Sequence, residues 1–315
     1  MVFLQEDHLL KSGMSIIKNH KKLAPLFIGF GNQAVEYANV LKYFNINIKS
    51  ACVTSLKKNK EKLNKFKIKY RYNNIKIALK EKKYNSVFVF LPWNIIEKKI
   101  IYIIKNTKKN IFCEKPIALS LKKLKKISAV SKKYNNNLYI LYNRRYYKNY
   151  SIIEKKINKN TKFEAYIPEK INSTLKKIDK RLKGKVKYHL TSHWLDFFLT
   201  LTKQNFLKLS KKKNLFIFEN KKLENKIIIH PNGKGYIKAN FKSKNFLLKL
   251  NSLEKLTIKN IKNNKIINYF NEHNQNKFKP GVHNLLKNIL YKKKNKLPKP
   301  KDLLTLYTYL KDLPF

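Results

Sequence analysis

The sequence predicts an α/β protein with two domains: a doubly wound parallel sheet, followed by an α+β domain with an open antiparallel sheet. Three observations predict this architecture. Short apolar segments alternate with helical patterns over residues 25–146, as in a parallel sheet with helices on both faces. Short strand-like segments separated by polar turns follow in the second half of the chain. The chain also has 315 residues, whereas single cores tend to stop growing near ~250–300 residues.

Strands and helices alternate throughout the first domain. The segment Val-Phe-Val-Phe-Leu within 86–91 indicates a strand buried on both faces. Val35, Ala38 and Leu41 recur at helical spacing and predict a helix whose apolar face lies on the sheet. The predicted strands are 26–28, 46–54, 86–91, 110–113 and 138–142, and the predicted helices are 33–44, 57–65, 75–83, 95–105 and 119–133.

The second domain is predicted to contain one helix and then a run of short strands. The helix is expected at 188–202, and the Asn-Gly pair at 232–233 is the clearest turn signal. The predicted strands are 214–218, 226–230, 235–241, 245–250, 254–259 and 265–270, and two closing helices are expected at 282–291 and 301–310. We therefore divide the chain into an extension (1–24), a first domain (25–146) and a second domain (147–315). The leucine spacing of the two closing helices predicts that they pack against a domain.

The chain carries a formal net charge of +54, which raises the question of a nucleic-acid partner. The lysines are spread over almost every polar position, however, and arginine occurs only at Arg71, Arg144, Arg145 and Arg181. Abundant Lys, Asn, Ile, Tyr and Phe are typical of a compositional bias rather than of a selected polyanion-binding surface. We predict no specific nucleic-acid partner. Hydrophobic residues make up 43% of the chain, so a disordered protein is not expected.

Nothing in the sequence predicts a membrane segment or a disulfide framework. No run of eighteen apolar residues is present, and charged residues interrupt the apolar pieces near the start of the chain. Cys52 and Cys113 lie in apolar strand-like segments and are interpreted as reduced core residues. We expect a cytoplasmic protein without a membrane partner.

A glycine turn follows the first predicted strand and precedes a helical pattern, in the sequence Leu26-Phe-Ile-Gly-Phe-Gly-Asn-Gln-Ala34. This arrangement is typical of the dinucleotide-binding βαβ unit. Gly29 would allow the tight turn, Gly31 would let the backbone approach a pyrophosphate, and Ala34 stands where a third glycine is often found. The candidate cofactor contacts in this turn are Gly29, Phe30, Gly31, Asn32 and Gln33.

The end of the second predicted strand favours NADP over NAD. An NAD-binding fold usually has an acidic residue there to accept the ribose hydroxyls. This chain instead has Thr54-Ser55-Leu-Lys-Lys58, whose hydroxyl groups and cations suit a 2′-phosphate.

Five motifs together resemble a known family. In order they are Gly29-Phe-Gly31, Leu91-Pro92-Trp93, Glu114-Lys115-Pro116, Tyr142-Asn143-Arg144-Arg145-Tyr146 and Ser192-His193-Trp194-Leu195-Asp196. Their order and spacing over residues 25–200 resemble the glucose–fructose oxidoreductase / inositol dehydrogenase / rhizopine catabolism (Gfo/Idh/MocA) family of NAD(P)-dependent oxidoreductases. The resemblance implies a Rossmann domain joined to an α+β domain whose open sheet often forms an oligomer contact. It also implies hydride transfer between a nicotinamide and a sugar-like or cyclitol carbon.

The resemblance also implies roles for individual residues. Lys115 would hold the reacting hydroxyl and stabilise its developing charge, and His193 would be the general acid/base. Glu114 would fix Lys115. Leu91, Pro92 and Trp93 would line the cofactor, while Asn143, Arg145 and Asp196 would stand near the substrate.

One position departs from the family pattern. The family often has an aspartate four residues before the histidine, and this chain has His189 there. On a continuous helix, positions 189 and 193 share a face, so His189 could orient substrate or relay a proton but cannot supply a negative charge. Asp196 could partly supply it. An altered substrate or a degenerate enzyme is therefore an open alternative. Because Arg145 and several lysines could face the pocket, an anionic or nucleotide-linked substrate is preferred.

Two other classes of function compete with a dehydrogenase. His189, His193 and Asp196 could together bind one cation in a metal-dependent hydrolase, although no glutamate follows His189 to activate water. A non-catalytic regulator that binds a nicotinamide nucleotide, or a basic nucleic-acid binder, is the second alternative. No helix-turn-helix, zinc-finger or RNA-reading signature supports nucleic-acid binding.

Overall fold

The computed structural model describes residues 23–81, 83–206, 208–270, 277–291 and 296–315. The extension predicted at 1–24 lies outside the described residues, apart from residues 23 and 24. Two sheets organise the rest of the chain, and buried side chains from both contribute to one continuous apolar core. None of the described helices is long and apolar enough to cross a membrane. Cys52 and Cys113 are buried and unpaired.

The first sheet has six parallel strands in the order β3-β2-β1-β4-β5-β6. The apolar strand β1 lies at its centre, where Phe27 pairs with Ala51 on one side and Phe88 on the other. Helices cover both faces, which is why the central strands are buried along their length. The strands are β1 (Pro25–Ile28), β2 (Ser50–Cys52), β3 (Tyr70–Tyr72), β4 (Ser86–Val89), β5 (Asn110–Cys113) and β6 (Leu138–Ile140).

Local sequence explains the helices that connect these strands. Ile96, Ile100, Ile103 and Ile104 bury one face of α4 against the sheet. The helix α2 begins after Ser55, whose side chain accepts a hydrogen bond from the Lys58 backbone N–H. The helices of this domain are α1 (Asn32–Tyr43), α2 (Leu56–Lys65), α3 (Ile75–Lys80), α4 (Trp93–Asn106) and α5 (Leu121–Lys133).

The second sheet has eight strands in the order β14-β13-β12-β11-β7-β10-β9-β8. Its pairings are antiparallel except that β7 and β10 run parallel, so the sheet is mixed where antiparallel pairing was predicted. The central strand β7 and the edge strand β8 were not predicted. The strands are β7 (Lys162–Pro168), β8 (Lys208–Lys212), β9 (Leu215–Asn220), β10 (Asn225–His230), β11 (Lys238–Lys242), β12 (Phe246–Asn251), β13 (Lys255–Asn260) and β14 (Ile266–Phe270).

The prediction of one helix at 188–202 is wrong, because the structure has two helices with a break at Leu190 and Thr191. The backbone N–H of His193 bonds to the carbonyl of Leu190 at 3.2 Å rather than to that of His189. This break leaves the His189 carbonyl without its helical partner. The helices of this region are α6 (Lys148–Glu154), α7 (Ile171–Leu175), α8 (Val186–His189) and α9 (Ser192–Thr202).

The two closing helices pack back onto the first domain. In α10 (Val282–Tyr291), His283 stacks on Phe44 at the end of α1. In α11 (Leu304–Asp312), the hydroxyl group of Tyr307 donates a hydrogen bond to the Ala118 carbonyl at 2.9 Å. The chain after the second sheet therefore packs against the first domain at two places.

Candidate active site

A cavity of about 1260 Å³ lies at the carboxyl ends of β1, β2, β4 and β5, with α8 and α9 on its other side. The strand order reverses between β1 and β4 at this point, and such a reversal creates the ligand-binding crevice of doubly wound sheets. The predicted site residues that line it are Gly29, Phe30, Gly31, Asn32, Gln33, Thr54, Leu91, Pro92, Trp93, Glu114, Lys115, Asn143, His189 and His193. Ser55, Arg145 and Asp196 do not line it.

Glycine occupies positions 29 and 31 of the turn for different structural reasons. Gly29 has φ +91°, and a Cβ there would lie 2.6 Å from the Phe90 carbonyl oxygen, so no other residue fits without strain. Gly31 precedes α1, and a Cβ there would point into open space. The first turn of α1 has neither a capping side chain nor an acidic residue, which leaves its N–H groups available to an anion. The turn therefore fits a dinucleotide's pyrophosphate.

Lys115 joins the two domains inside the cavity. It follows β5, and its Nζ donates a hydrogen bond to the His189 carbonyl oxygen at 2.5 Å. Burial lowers the pKa of Lys115 to about 7 against the opposing effect of Glu114, and the positive charges of Arg144 and Lys279 lower it further. Glu114 accepts a hydrogen bond from Gln33 Nε2 at 3.1 Å, and burial raises the pKa of its carboxyl group.

Both histidines are held as neutral imidazoles. His193 meets the Tyr142 ring edge-on at 5.6 Å between ring centroids, and His189 stacks on Trp93 at 5.3 Å. The Nδ1 atoms of His189 and His193 are buried and have no hydrogen-bond partner among the described residues. Burial and then the charge of Lys115 lower the pKa of His189 to about 3 and that of His193 well below its usual value. Each imidazole can therefore accept or donate a hydrogen bond to a ligand without carrying charge.

Arg145 and Asp196, predicted near the substrate, bind each other instead. The Arg145 Nε donates to Asp196 Oδ2 at 2.8 Å, and a second bond joins Nη2 to Oδ1. Both side chains are largely buried, and this pair ties the turn after β6 to α9. Because its charge is neutralised there, Asp196 is not free to raise the basicity of His193.

Two charged residues close to Lys115, the buried Glu169 and the half-buried Arg144, were not assigned to the site from the sequence. Arg144 stacks on Trp194, with its guanidinium carbon 3.3 Å from the ring centroid. Glu169 follows β7, and burial raises the pKa of its carboxyl group to about 7, while Thr191 and Arg144 oppose that effect. Arg144 Nη1 and Glu169 Oε1 are buried without a hydrogen-bond partner among the described residues. Glu169 directly follows a strand that the sequence pattern did not reveal, so no local signal pointed to it.

A third unpredicted residue, Lys279, reaches the cavity from the segment before α10. Its Nζ donates a hydrogen bond to Gln33 Oε1 at 2.5 Å. Asn143, which was predicted near the substrate, donates from Nδ2 to the Pro280 carbonyl at 2.8 Å and so helps to hold the same segment.

Comparison with known proteins agrees with this architecture. The family model for Gfo/Idh/MocA, described as an oxidoreductase family with an NAD-binding Rossmann fold, matches residues 24–142. No curated protein matches the sequence. At these low identities, the solved structures below show similarity of fold alone.

Three solved structures illustrate that similarity. An oxidoreductase from Agrobacterium radiobacter in complex with NAD+, L-tartaric acid and magnesium is 12% identical, with a TM-score of 0.70 over 92% of this chain and 95% of that one. Myo-inositol 2-dehydrogenase from Lactobacillus plantarum is 15% identical, with a TM-score of 0.69 over 92% and 96%. The super-repressor mutant of Gal80p from Saccharomyces cerevisiae is 12% identical, with a TM-score of 0.74 over 92% and 94%.

The two glycines of the turn should respond differently to alanine. Gly29→Ala should destabilise the fold by on the order of 2 kcal/mol, because its backbone is left-handed and crowded by Phe90. We call the glycine turn (residues 29–31) and the first turn of α1 the cradle. Gly31→Ala should leave the melting temperature almost unchanged but weaken nicotinamide dinucleotide binding about tenfold or more, because the added methyl group would occupy the space in the cradle where the pyrophosphate would bind. Thermal denaturation and fluorescence titration check both outcomes. Equal dinucleotide affinity in Gly31→Ala and the parent would contradict the assignment of the cradle.

Proposed function

We propose that the protein is a dehydrogenase or reductase that uses NADP or NAD, because residues 24–142 match the model of the Gfo/Idh/MocA oxidoreductase family with its NAD-binding Rossmann fold. Its substrate would be a secondary alcohol, or the corresponding ketone, of a sugar, sugar nucleotide or cyclitol. One observation carries the proposal: an amine from the first domain and two neutral imidazoles from the second converge on a cavity that also contains the glycine cradle.

The residues around the cavity fit a nicotinamide dinucleotide. Gly31 and the free N–H groups of α1 would hold its pyrophosphate, and Thr54 would stand near the adenosine ribose. Leu91, Pro92 and Trp93 would line the nicotinamide end of the cavity. When bound, the nicotinamide would accept or donate the hydride of the reaction.

Lys115 is the group best suited to move the proton. A general acid/base works best when its pKa lies near the operating pH, and burial places the pKa of Lys115 at about 7. In alcohol oxidation, the neutral Nζ of Lys115 would take the hydroxyl proton. The pKa of His193 is too low for this imidazole to hold a proton near neutrality. We therefore assign His193 and His189 to orienting the hydroxyl group, whereas the resemblance alone implied that His193 moves the proton.

We still propose an anionic substrate, but Arg145 no longer supports this choice because its side chain binds Asp196. The lysines of the cavity support it instead. Lys76, Lys98, Lys99, Lys115 and Lys279 line the cavity, and Glu114 is the one acidic residue among the described lining residues. The sugar or cyclitol assignment rests on the family and on the likeness to the inositol dehydrogenase fold.

The metal-dependent hydrolase has no support among the described residues. They contain no group of three His, Cys, Asp or Glu side chains that could hold a metal ion, and Asp196 is already bound by Arg145. A regulator that binds the dinucleotide without turning it over is the second candidate, favoured by His189 in place of the usual aspartate and by the shared fold of the Gal80p super-repressor. Dinucleotide binding without turnover of any sugar or cyclitol tested would favour this candidate.

We further propose that the protein forms a homo-oligomer through the outer face of the second sheet. Leu247 is exposed on this face, and Ile217 and Ile228 are half-buried there, beside exposed lysines. A monomer in sedimentation equilibrium would contradict this proposal. A cytoplasmic location and the absence of a specific nucleic-acid partner remain predictions from the sequence.

The pH dependence of turnover should follow Lys115. The neutral fraction of an amine with a pKa of about 7 grows as the pH rises, so the rate of alcohol oxidation should rise through about pH 7 and the rate of ketone reduction should fall. Lys115→Arg should lower the oxidation rate about 100-fold or more, because a guanidinium does not release its proton.

His193→Asn provides the matched comparison for this assignment. If His193 only orients the hydroxyl group, this variant should turn over more slowly but its rate should still change through about pH 7, as in the parent. Stopped-flow absorbance of the nicotinamide over pH 5–9 measures both variants. If the change in rate near pH 7 disappeared in His193→Asn but persisted in Lys115→Arg, His193 would move the proton and Lys115 would orient the hydroxyl group.

The preference for NADP should depend on Thr54. Thr54→Asp places an acid at the end of β2, where it would accept ribose hydroxyls and repel a 2′-phosphate. We expect the affinity for NADPH to fall about tenfold or more while NADH binding is kept or improved. Parallel titrations with NADPH and NADH test this. A parent protein that binds both equally would remove the preference for NADP but not the proposed reaction.

A further inference from the structure

The segment of residues 277–281, which we call the strap, joins the cavity to the start of α10. It is held against the turn after β6, where Asn143 Nδ2 donates to the Pro280 carbonyl at 2.8 Å. The side chain of the preceding residue, Lys279, extends to α1 and donates to Gln33 Oε1. The strap thus connects two separate parts of the first domain across the cavity.

The strap is anchored firmly at Gly281. This glycine has φ +79°, and a Cβ there would lie 2.3 Å from the Asn143 carbonyl oxygen and 2.8 Å from the Tyr147 ring. Only glycine allows the strap to approach the turn this closely. Next to it, Val282 is fully buried, and Asn284 Nδ2 donates to the Tyr146 carbonyl at 3.0 Å. Lys279 is therefore held two residues from a fixed point.

The position of the Lys279 ammonium is electrostatically unusual. Gln33 is the second residue of α1, so Lys279 adds a positive charge near the positive end of a helix dipole, where an anion would be favourable and a cation is not. The first turn of α1 contains no acidic residue. The charge of Lys279 also extends into the cavity, where it helps to lower the pKa of Lys115 and of both histidines. An anion placed between α1 and the strap would relieve this repulsion.

We propose that Lys279 is a cofactor-binding residue, which clamps the pyrophosphate of the dinucleotide against the N-terminus of α1 from a segment outside the nucleotide-binding domain. This inference rests on the proposed function. The contact with Gln33 favours the pyrophosphate over a substrate group, because Gln33 belongs to the cradle whereas Lys115 and the two histidines mark the reacting end. A dinucleotide would thereby fasten the strap and α10 to the first domain.

The test measures binding rather than turnover. The dissociation constants of NADPH and of ADP-ribose, which has the pyrophosphate but no nicotinamide, are determined by titration for the parent, Lys279→Ala, Lys279→Arg and Lys277→Ala. Lys277 is the matched control, because it is an exposed lysine of the same strap that does not line the cavity. Thermal denaturation without ligand verifies that all variants fold.

The expected result is that Lys279→Ala binds both ligands about tenfold more weakly, the size of one partly exposed, charge-assisted hydrogen bond. Lys279→Arg should keep most of the affinity, and Lys277→Ala should match the parent. Raising the salt concentration should weaken binding less in Lys279→Ala than in the parent.

Two results would overturn the inference in distinguishable ways. If Lys279→Ala binds NADPH and ADP-ribose as tightly as the parent, the clamp is wrong while the proposed function stands; a raised KM for the substrate alone would then place Lys279 at the substrate. If the parent binds neither NADPH nor NADH, the proposed function fails and the clamp fails with it.

Discussion

The hydrogen bond from Lys115 to the His189 carbonyl is the contact on which the rest of the site depends. It brings the end of β5 in the first domain against the end of α8 in the second. A buried ammonium needs hydrogen-bond acceptors because it has lost water, and a backbone carbonyl that already serves a helix is a poor acceptor. The break after His189 solves this, because the N–H of His193 bonds to Leu190 and leaves the His189 carbonyl to Lys115. The irregular backbone at 190–191 is thus tied to the placement of the amine.

This arrangement changes what the substitution at position 189 means. A carboxylate there would place a negative charge next to Lys115, which would raise the pKa of the amine. With histidine, position 189 offers a neutral ring stacked on Trp93, and its backbone carbonyl receives the amine. Burial places the pKa of Lys115 at about 7, and a neutral residue at position 189 does not offset that effect. Under the proposed function, histidine at position 189 would therefore leave Lys115 able to transfer the proton.

The local parts of the fold could be predicted from the sequence, and the long-range parts could not. Five of the six strands of the first domain and the glycine turn follow from short-range signals, namely apolar runs and backbone freedom, and the structure confirms the parallel, doubly wound sheet. The edge strand β3 was not predicted, because its sequence Tyr-Arg-Tyr is not an apolar run. The break at Leu190 was missed because it depends on Lys115, more than seventy residues earlier. The strand β7 pairs with β10, from which it is separated in sequence by three α-helices and by strands β8 and β9, so Glu169 after its end had no local signature. Arg145 was predicted near the substrate from its motif, but it pairs with Asp196 instead, and this pairing depends on packing that the motif does not reveal.

The cavity is lined by far more positive than negative side chains. Its described lining contains five lysines and one acidic side chain, Glu114, with Arg144 buried close by. Both imidazoles respond by remaining neutral, and Lys115 responds with a pKa well below that of an exposed lysine. Like charges at this density oppose each other unless a counter-charge is supplied, and the protein itself supplies little. A ligand with phosphate groups would supply negative charge and offset part of this repulsion, which favours an anionic ligand in this cavity.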